Sequence, residues 1–301
     1  MAFGKLMTGA VLAVALASGG AAQAAGPYDR NASDRVGAVV SFVSFPVIAK
    51  GKTLWTAGEL RIPVQAAGAA KGPAVLIVHG SGGVDSRGGA YAQALNAAGI
   101  ATLEIDLWSV RGVTNPSERP RAVADTLPDA FAALGYLAGR REIDPRRIGV
   151  MGFSWGGVVS MLSATKAANA ALNTSGASFA AHAPLYPVCW AYNHAPGYGF
   201  GDLTGAPVLL QSGQGDLYDD PDSCAKLHAS LSDADKRLVE VRSYPNATHA
   251  WDRREPDMTA NDPTSHKGAG GAVPFHYDPA VTKTSTEAVV AFFRKSLAAK
   301  P

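Results

Sequence analysis

The chain has 301 residues, of which 47% are hydrophobic and 17% charged, so it can bury a sizeable core and does not belong to the disordered class. Its formal net charge of +2 offers no electrostatic reason to expect nucleic acid or an anionic membrane surface as a partner. We expect a small-molecule partner instead.

The N-terminus is typical of a secretory signal peptide. Lys5 supplies a basic start, an apolar segment runs from Leu6 to Leu16, and Ala22-Gln23-Ala24 is a cleavage signal of small residues. The apolar segment is shorter than the roughly 20 residues that a membrane helix needs, although a permanent anchor helix is the alternative. We predict a signal peptide over residues 1–24, a single domain over residues 25–301, and a periplasmic or secreted location.

Apolar segments rich in β-branched residues alternate with helical patterns along the rest of the chain. The first two predict an antiparallel hairpin, and several of the later six are near-continuous Val/Ile/Leu runs, as expected of strands buried on both faces of a parallel sheet. In chain order the segments are RVGAVVSFVSFPV, TLWTAGELRIPV, PAVLIVHG, GIATLEIDL, RIGVMGF, FAAHAPLYP, APVLLQSG and LVEVRSYP.

Helices are predicted between these strands. One has apolar residues at helical spacing from Ala130 to Leu137 and ends at Gly139, and a final amphipathic helix runs through TEAVVAFFRKSLAA. We therefore predict an α/β fold of three layers, with a mostly parallel eight-stranded sheet, an antiparallel N-terminal hairpin and helices on both faces. In such sheets the site lies beyond the carboxyl ends of the strands.

The segment GFSWGG fits the pattern Gly-x-Ser-x-Gly between a strand-like and a helix-like stretch, which is the context that this motif requires. A turn this tight strains the backbone of Ser154, and Gly152 and Gly156 lack the side chains that would collide with the neighbouring strand and helix. Ser154 is therefore the candidate nucleophile. A glycine-rich packing turn with an incidental serine is the alternative.

A serine nucleophile needs a base within hydrogen-bond reach and a carboxylate that orients the base. With this motif the chain order is serine, acid, histidine. Asp216 enters a loop after one predicted strand and His249 follows the next, so these two are the candidate acid and base. Rival acids lie close by at Asp219, Asp220 and Asp222, and later histidines stand at positions 266 and 276.

Attack on a carbonyl also requires two N–H donors for the oxygen that becomes negatively charged. The turn after the third strand, HGSGG, supplies the N–H of Ser81, which we pair with that of Trp155 at the start of the helix. Gly82 is the alternative donor. His79 precedes the serine in the chain, and we expect it to brace this loop.

Five segments resemble the dienelactone hydrolase family of α/β-hydrolases over most of residues 25–301: HGSGG, DLWSVRGV, RAVADTLPDAFAALGYLAGRREIDPRRIGVMGFSWGG, GQGDLYDDPDSC and YPNATHAWD. The resemblance implies an α/β-hydrolase fold with Ser154, Asp216 and His249 as its catalytic residues. Dienelactone hydrolases proper carry cysteine at the nucleophile position, where this chain has serine. We therefore expect a serine hydrolase of carboxylic esters or lactones that forms an acyl-enzyme.

Two other functions fit the same residues. A peptidase or acyl transferase would use the same three residues on another substrate, and a binding protein would keep the fold without catalysis. No cofactor is implied, and no metal either, because Cys189 and Cys224 lack the closely spaced ligands of a zinc site. These two cysteines form a disulfide if the protein is exported, and the alternative is two free thiols.

Three further features have open interpretations. Arg111 follows a strand, where it could bind a substrate carboxylate or form a structural salt bridge. The polar stretch over residues 253–277 is predicted to be a long surface loop, either a rim of the active site or a tolerated insertion. Four tryptophans are candidates for the wall of an apolar pocket, with ordinary packing in the core as the alternative: Trp108, Trp155, Trp190 and Trp251.

Overall fold

A large sheet organises the computed structural model, which describes residues 37–64 and 71–299. The predicted signal peptide lies outside the described residues. The strands are β1 (Ala38–Ala49), β2 (Lys52–Pro63), β3 (Gly72–Val78), β4 (Ala101–Asp106), β5 (Ile143–Phe153), β6 (Ala181–Leu185), β7 (Val208–Gly213), β8 (Val239–Tyr244), β9 (Met258–Asp262) and β10 (Gly271–Phe275). The helices are α1 (Ser86–Ala97), α2 (Leu127–Ala138), α3 (Trp155–Ser163), α4 (Lys166–Leu172), α5 (Ser223–Ser230), α6 (Asp233–Lys236), α7 (Ser265–Gly268) and α8 (Pro279–Ser296).

The main sheet has eight strands in the order β1-β2-β4-β3-β5-β6-β7-β8. Strands β1 and β2 form an antiparallel hairpin whose turn residues, Lys50 and Gly51, both have positive φ, as a two-residue hairpin turn demands. Strand β2 pairs with β4 in antiparallel fashion, and the remaining pairs are parallel. The predicted fold class, with its eight strands and N-terminal hairpin, is confirmed.

The core lies in two layers, one on each face of the sheet. Successive side chains of a strand point to opposite faces, so Leu76 of β3 packs in one layer and Ile77 in the other. Helices α2 and α3 cover the first face, and α1 and α8 cover the second. The carboxyl ends of the parallel strands therefore lie along one edge between the two helix layers.

The C-terminal part of the chain differs from its prediction. Helix α8 begins at Pro279, earlier than the apolar pattern indicated, because the Asp278 carboxylate accepts hydrogen bonds from Ala280 N and Val281 N at its start. The expected surface loop over residues 253–277 is wrong in part, since β9 and β10 form an antiparallel hairpin there. Among the helices of the described residues, none combines the length and the apolar character needed to cross a membrane.

Candidate active site

The predicted nucleophile lies in a turn between the end of β5 and the start of α3. Ser154 has φ of 50° and ψ of −107°, a conformation that a residue with a side chain adopts only when its surroundings enforce it. Its N–H donates to Leu185 O at 3.0 Å, at the end of the neighbouring strand β6. A strained turn of this kind presents the serine hydroxyl at the carboxyl edge of the sheet.

The glycines beside Ser154 permit this turn. A Cβ on Gly152 would lie 2.3 Å from the backbone of Gly156, and one on Gly156 would lie 2.0 Å from Val78 O. Both distances are far below van der Waals contact, and both neighbours are backbone atoms that have little freedom to move. The N–H of Gly156 also donates to His79 O at 3.1 Å, so the helix start is tied to the loop that follows β3.

The predicted acid and base meet at the ends of two adjacent strands. Asp216 follows β7, His249 follows β8, and His249 Nδ1 lies 2.7 Å from Asp216 Oδ2. Both residues are buried, with 4% of Asp216 and 2% of His249 exposed. The Asp216 carboxylate accepts a hydrogen bond from the Nδ1–H of His249. This bond favours the tautomer in which Nε2 carries no proton and is free to take one. The other Asp216 oxygen accepts from Tyr218 N at 2.9 Å, which fixes the carboxylate.

The rival residues have other partners. Asp219 accepts from two backbone N–H groups, whereas Asp220 and Asp222 pair with lysines at the surface. His266 bonds to the adjacent Ser265 hydroxyl, and the backbone of His276 bonds to Thr248. Within the part of the chain that the structure describes, the acid–histidine hydrogen bond is made by Asp216 and His249.

Close backbone packing brings the acid and histidine loops together. Gly215 N donates to Ala247 O at 3.0 Å, and a Cβ on Gly213 would lie 2.2 Å from the same oxygen. Gly213 therefore has to be glycine for the loops to approach this closely. The sequence signal for this contact is the Gly-Gln-Gly run directly before Asp216, whose glycines were not among the predicted site residues.

Ser154 and His249 both contact the dipeptide formed by Leu185 and Tyr186. Leu185 O accepts the Ser154 N–H, and the ring of the next residue, Tyr186, packs edge-on against the His249 imidazole with centroids 4.8 Å apart. The hydrogen bonds of the described residues do not include one between the Ser154 hydroxyl and His249. In many hydrolases this hydrogen bond tightens only when substrate binds, so the direct contact stays a prediction.

The candidate oxyanion loop is held from three directions. His79 Nδ1 donates to Gly80 O at 2.7 Å, and its Nε2 accepts from Leu107 N at 2.9 Å, so the ring is neutral and braces the loop. Burial lowers the pKa of His79, consistent with this neutral form. Trp108 Nε1 donates to Ser81 O at 3.1 Å. Both ring nitrogens of His79 are thus hydrogen-bonded to the backbone, as expected of a residue that braces the loop and does not act as a base.

The donors predicted for the oxyanion lie in this loop and at the start of α3. Gly83 N donates to Gly80 O, so the turn's own hydrogen bond leaves out the N–H groups of its central residues, Ser81 and Gly82. Trp155 is the first residue of α3, and an N–H at that position has no acceptor inside its helix. The Ser81 and Trp155 amides are thus compatible with the predicted role, with Gly82 still the alternative.

Arg111 forms a structural ion pair. Its Nη1 and Nη2 donate to the two carboxylate oxygens of Asp129 at 3.0 and 2.7 Å, and Nη1 also donates to Leu107 O. Asp129 is fully buried and also accepts from the Thr56 hydroxyl at 2.7 Å. The guanidinium is therefore already engaged by a carboxylate of the chain, which is the structural salt bridge among the two predicted interpretations.

The four tryptophans have different surroundings. Trp155 is half-buried, packs edge-on against Trp108 with centroids 5.3 Å apart, and donates from Nε1 to the Thr126 hydroxyl. Trp190 is half-buried beside the α7 turn, next to Gly268. Trp251 is fully buried in the core, which is the ordinary packing role that was the alternative to a pocket wall.

The cysteines join the segment after β6 to helix α5, beside the loop that carries the candidate acid. Cys189, after β6, and Cys224, in α5, form a disulfide, so their sulfurs are not available as thiolate ligands for a metal. Asp219 lies against them and accepts from Cys189 N and Trp190 N, each at 2.7 Å. Burial raises the pKa of the Asp219 carboxyl to about 6. The loop after β6 is thus fixed to the acid loop.

The β9–β10 hairpin packs over the same acid loop. The Tyr218 hydroxyl donates to Asp262 at 2.7 Å, His266 N donates to Leu217 O at 2.8 Å, and Phe275 packs edge-on against His249 with centroids 5.7 Å apart. Tyr218 also lies on the His249 ring, at a centroid distance of 4.4 Å. Of the two interpretations of residues 253–277, these contacts favour a rim of the site.

The fold and the turn at Ser154 define an α/β-hydrolase. The model of the dienelactone hydrolase family matches residues 58–297, and the chain belongs to that family.

Solved structures share this fold. A putative dienelactone hydrolase from Klebsiella pneumoniae aligns with a TM-score of 0.57 and 18% identity, covering 85% of this chain and 99% of that one. Est1E from Butyrivibrio proteoclasticus, in a structure with ferulic acid bound, aligns with a TM-score of 0.57 and 17% identity over 85% of this chain and 100% of its own. Thermogutta terrifontis esterase 2 aligns with a TM-score of 0.59 and 15% identity, with coverages of 90% and 100%.

A curated relative is an uncharacterised protein of Mycobacterium tuberculosis, which is 36% identical over 102 residues. The match covers 34% of this chain and 34% of the relative's length, so the chain matches about a third of that relative.

Proposed function

We propose that the protein is an exported serine hydrolase that cleaves carboxylic esters or lactones through an acyl-enzyme. The observation that carries the proposal is the buried His249–Asp216 hydrogen bond of 2.7 Å at the same sheet edge as Ser154, whose φ is 50°. A serine in a strained strand-to-helix turn and an oriented imidazole are the two parts that acyl transfer requires. Membership of the dienelactone hydrolase family supports the same reaction class.

Each residue has one role in the proposed reaction. Ser154 Oγ attacks the carbonyl carbon while His249 Nε2 takes the hydroxyl proton, and Asp216 holds the imidazole through Nδ1 and stabilises its positive charge. The Ser81 and Trp155 amides donate to the oxygen that becomes negative. The protonated His249 then gives its proton to the leaving alcohol. A water molecule, deprotonated by His249, attacks the acyl carbon, and His249 returns that proton to Ser154 Oγ as the bond to the acid breaks.

Serine in place of cysteine favours ordinary esters or lactones over a dienelactone substrate. A cysteine thiol that has lost its proton attacks without further help, whereas a serine hydroxyl needs a base to take its proton at the moment of attack. The arrangement of His249 and Asp216 fits that need. Among the structural neighbours, Est1E was solved with ferulic acid, and the Thermogutta esterase was solved after phosphoramylation by tabun.

Export to the periplasm or outside the cell is part of the proposal. Its basis is the sequence pattern of residues 1–24, and the Cys189–Cys224 disulfide supports it, since such bonds persist in oxidising compartments. Mass spectrometry of the N-terminus after expression in a host with a secretion system tests it. We expect the mature chain to begin at Ala25, and recovery of the uncleaved chain from the cytoplasm would contradict export.

A panel of short-chain aryl esters, lactones and peptides, assayed with wild-type protein and Ser154→Ala, tests the activity. We expect turnover of esters or lactones that falls by roughly 10⁴ to 10⁶ in the variant, by analogy with triad knockouts in other hydrolases. Activity on peptides alone would replace the esterase by a peptidase. A folded wild-type protein without any activity would favour a binding function, and a rate that does not depend on Ser154 would overturn the mechanism.

A further inference from the structure

A buried arginine lies beneath the candidate active site. Arg87 is in the first turn of α1, and 5% of the residue is exposed. Its Nε donates to Asp85 Oδ1 at 2.9 Å, which places the charge directly after the oxyanion loop. A buried cation is costly to desolvate, so its surroundings are expected to compensate for it with several contacts.

The Arg87 guanidinium contacts the segments that precede both Ser81 and Ser154. It lies over the ring of Phe153, 5.1 Å from the centroid, and Phe153 is the residue directly before Ser154. A Cβ on Gly80, the residue before Ser81, would lie 3.1 Å from Arg87 Nη2 and 3.3 Å from Phe153 O. The arginine therefore fills the space where the oxyanion loop and the nucleophile turn meet.

A chain of hydrogen bonds connects Arg87 with the histidine loop. Arg87 Nη1 donates to the Tyr186 hydroxyl at 3.1 Å, and this hydroxyl donates to Asp252 Oδ1 at 2.5 Å. Asp252 stands three residues after His249, and 2% of it is exposed. The Tyr186 ring packs edge-on against the His249 imidazole at 4.8 Å. Tyr186 therefore contacts the base with its ring and joins Arg87 to Asp252 with its hydroxyl.

The remaining Asp252 oxygen also has a tyrosine hydroxyl as its partner. It accepts from the Tyr91 hydroxyl at 3.0 Å, and Tyr91 belongs to α1 and packs on Phe153 rather than on His249. Burial raises the pKa of Asp252, while Arg87 and the two tyrosine hydroxyls act in the opposite direction. Each tyrosine thus donates one hydrogen bond to this carboxylate, and of the two tyrosines Tyr186 also contacts the base.

We propose that Arg87, Tyr186 and Asp252 are positioning residues that hold the His249 imidazole in register with the nucleophile turn and the oxyanion loop. The proposal rests on the proposed function and adds residues to its site. The physical reason is that a base misplaced by a fraction of an ångström loses much of its effect on the rate, while ground-state binding of the substrate changes little.

The test compares Tyr186→Phe with the matched control Tyr91→Phe, using p-nitrophenyl acetate and a thermal unfolding scan. Each variant removes one hydroxyl from the same carboxylate, and Tyr186→Phe also removes the acceptor of Arg87 Nη1, so the unfolding scan measures how much stability each variant loses. We expect Tyr186→Phe to lower kcat about tenfold or more with KM within about twofold, and Tyr91→Phe to stay within about twofold in both constants. Equal kcat values in the two variants would overturn the proposal.

Arg87→Lys keeps a buried positive charge and provides a second test should Tyr186→Phe fold poorly. A single ammonium does not reproduce the fork that engages Asp85 and Tyr186 together, so kcat should fall while KM holds. A wild-type kcat in Arg87→Lys would contradict the proposal. Ser154→Ala in the same assay separates the two levels: absence of any serine-dependent turnover by wild-type protein would overturn the proposed function and this inference with it.

Discussion

Nδ1 of His249 lies 2.7 Å from Oδ2 of Asp216, although 33 positions separate the two residues in the chain. They meet because β7 and β8 are parallel neighbours, so the loops after both strands start at the same edge of the sheet. The backbone hydrogen bond from Gly215 to Ala247 then draws those loops into contact. The imidazole is thereby oriented by the fold before any substrate is present, which is the condition for an efficient base.

The Asp216 contact gives a first prediction. Asp216→Asn should lower kcat by about 10³-fold to 10⁴-fold with little change in KM, because the amide does not stabilise the imidazolium or the required tautomer. Asp222→Asn is the matched control, since Asp222 is exposed and pairs with Lys226 at the surface. Steady-state kinetics on one aryl ester decide the matter, and equal losses in the two variants would remove Asp216 from the role of the acid.

The contact of Gly156 with Val78 gives a prediction about stability. Gly156→Ala should cost about 3 kcal/mol or more in the free energy of unfolding, since the new Cβ would lie 2.0 Å from Val78 O. Gly199→Ala is the control, because no atom lies within 4 Å of a Cβ there. Urea denaturation measures both. A Gly156→Ala protein as stable as Gly199→Ala would show that the turn relaxes easily.

The buried His182 predicts a loss of stability in acid. Burial lowers its pKa from 6.5 to about 4 in the folded protein, so between these values the unfolded chain binds a proton that the folded chain does not. The free energy of unfolding is therefore unaffected by His182 protonation above pH 6.5 and decreases as the pH falls from 6.5 towards 4. The shift corresponds to at most about 3 kcal/mol.

His182→Asn tests this effect. The asparagine amide can replace the Nδ1 hydrogen bond to Ser160 O, at 3.0 Å, without adding a titrating group. We expect the free energy of unfolding of the variant, measured in urea at pH 7 and pH 4.5, to depend less on pH than that of the wild type. Identical pH dependence would mean that other groups, such as His79, account for the acid sensitivity.

The Cys189–Cys224 disulfide gives a prediction about redox conditions. The bond joins residues 35 positions apart, and closing a loop of that length in the unfolded chain is worth about 3 to 4 kcal/mol. Dithiothreitol should therefore lower the Tm of the wild type by several degrees, about 5 °C or more. The double variant Cys189→Ser/Cys224→Ser should have the lower Tm with or without reductant. A wild-type Tm that does not respond to complete reduction would contradict this expectation.

The sequence predicted the structure best where a short pattern of residue types is compatible with one backbone conformation. The Val/Ile/Leu runs of β3 and β5 predicted buried parallel strands, and the glycines around Ser154 predicted a turn that the structure contains. Both depend on short-range geometry, which the local sequence specifies. The helix over residues 127–138 was predicted on the same basis, since its apolar residues recur on one face.

Contacts between distant segments were harder to predict. The partner of Arg111 is Asp129, which the sequence offers as one of many carboxylates, and the Arg87–Tyr186–Asp252 chain joins residues from three separate regions. The polar composition of residues 253–277 indicated a loop, whereas residues 258–275 within it form a hairpin that packs on the acid loop. Packing on a neighbouring segment stabilises strands there that composition alone does not favour.

The central claim is that Ser154 is the nucleophile, and covalent labelling tests it most directly. The wild-type protein is incubated with a fluorophosphonate probe, digested, and the modified peptide is identified by mass spectrometry. We expect one adduct per chain, on Ser154, and proportionate loss of ester hydrolysis as labelling proceeds. Folded protein that hydrolyses esters but carries the adduct on another residue, or stays unlabelled, would contradict it.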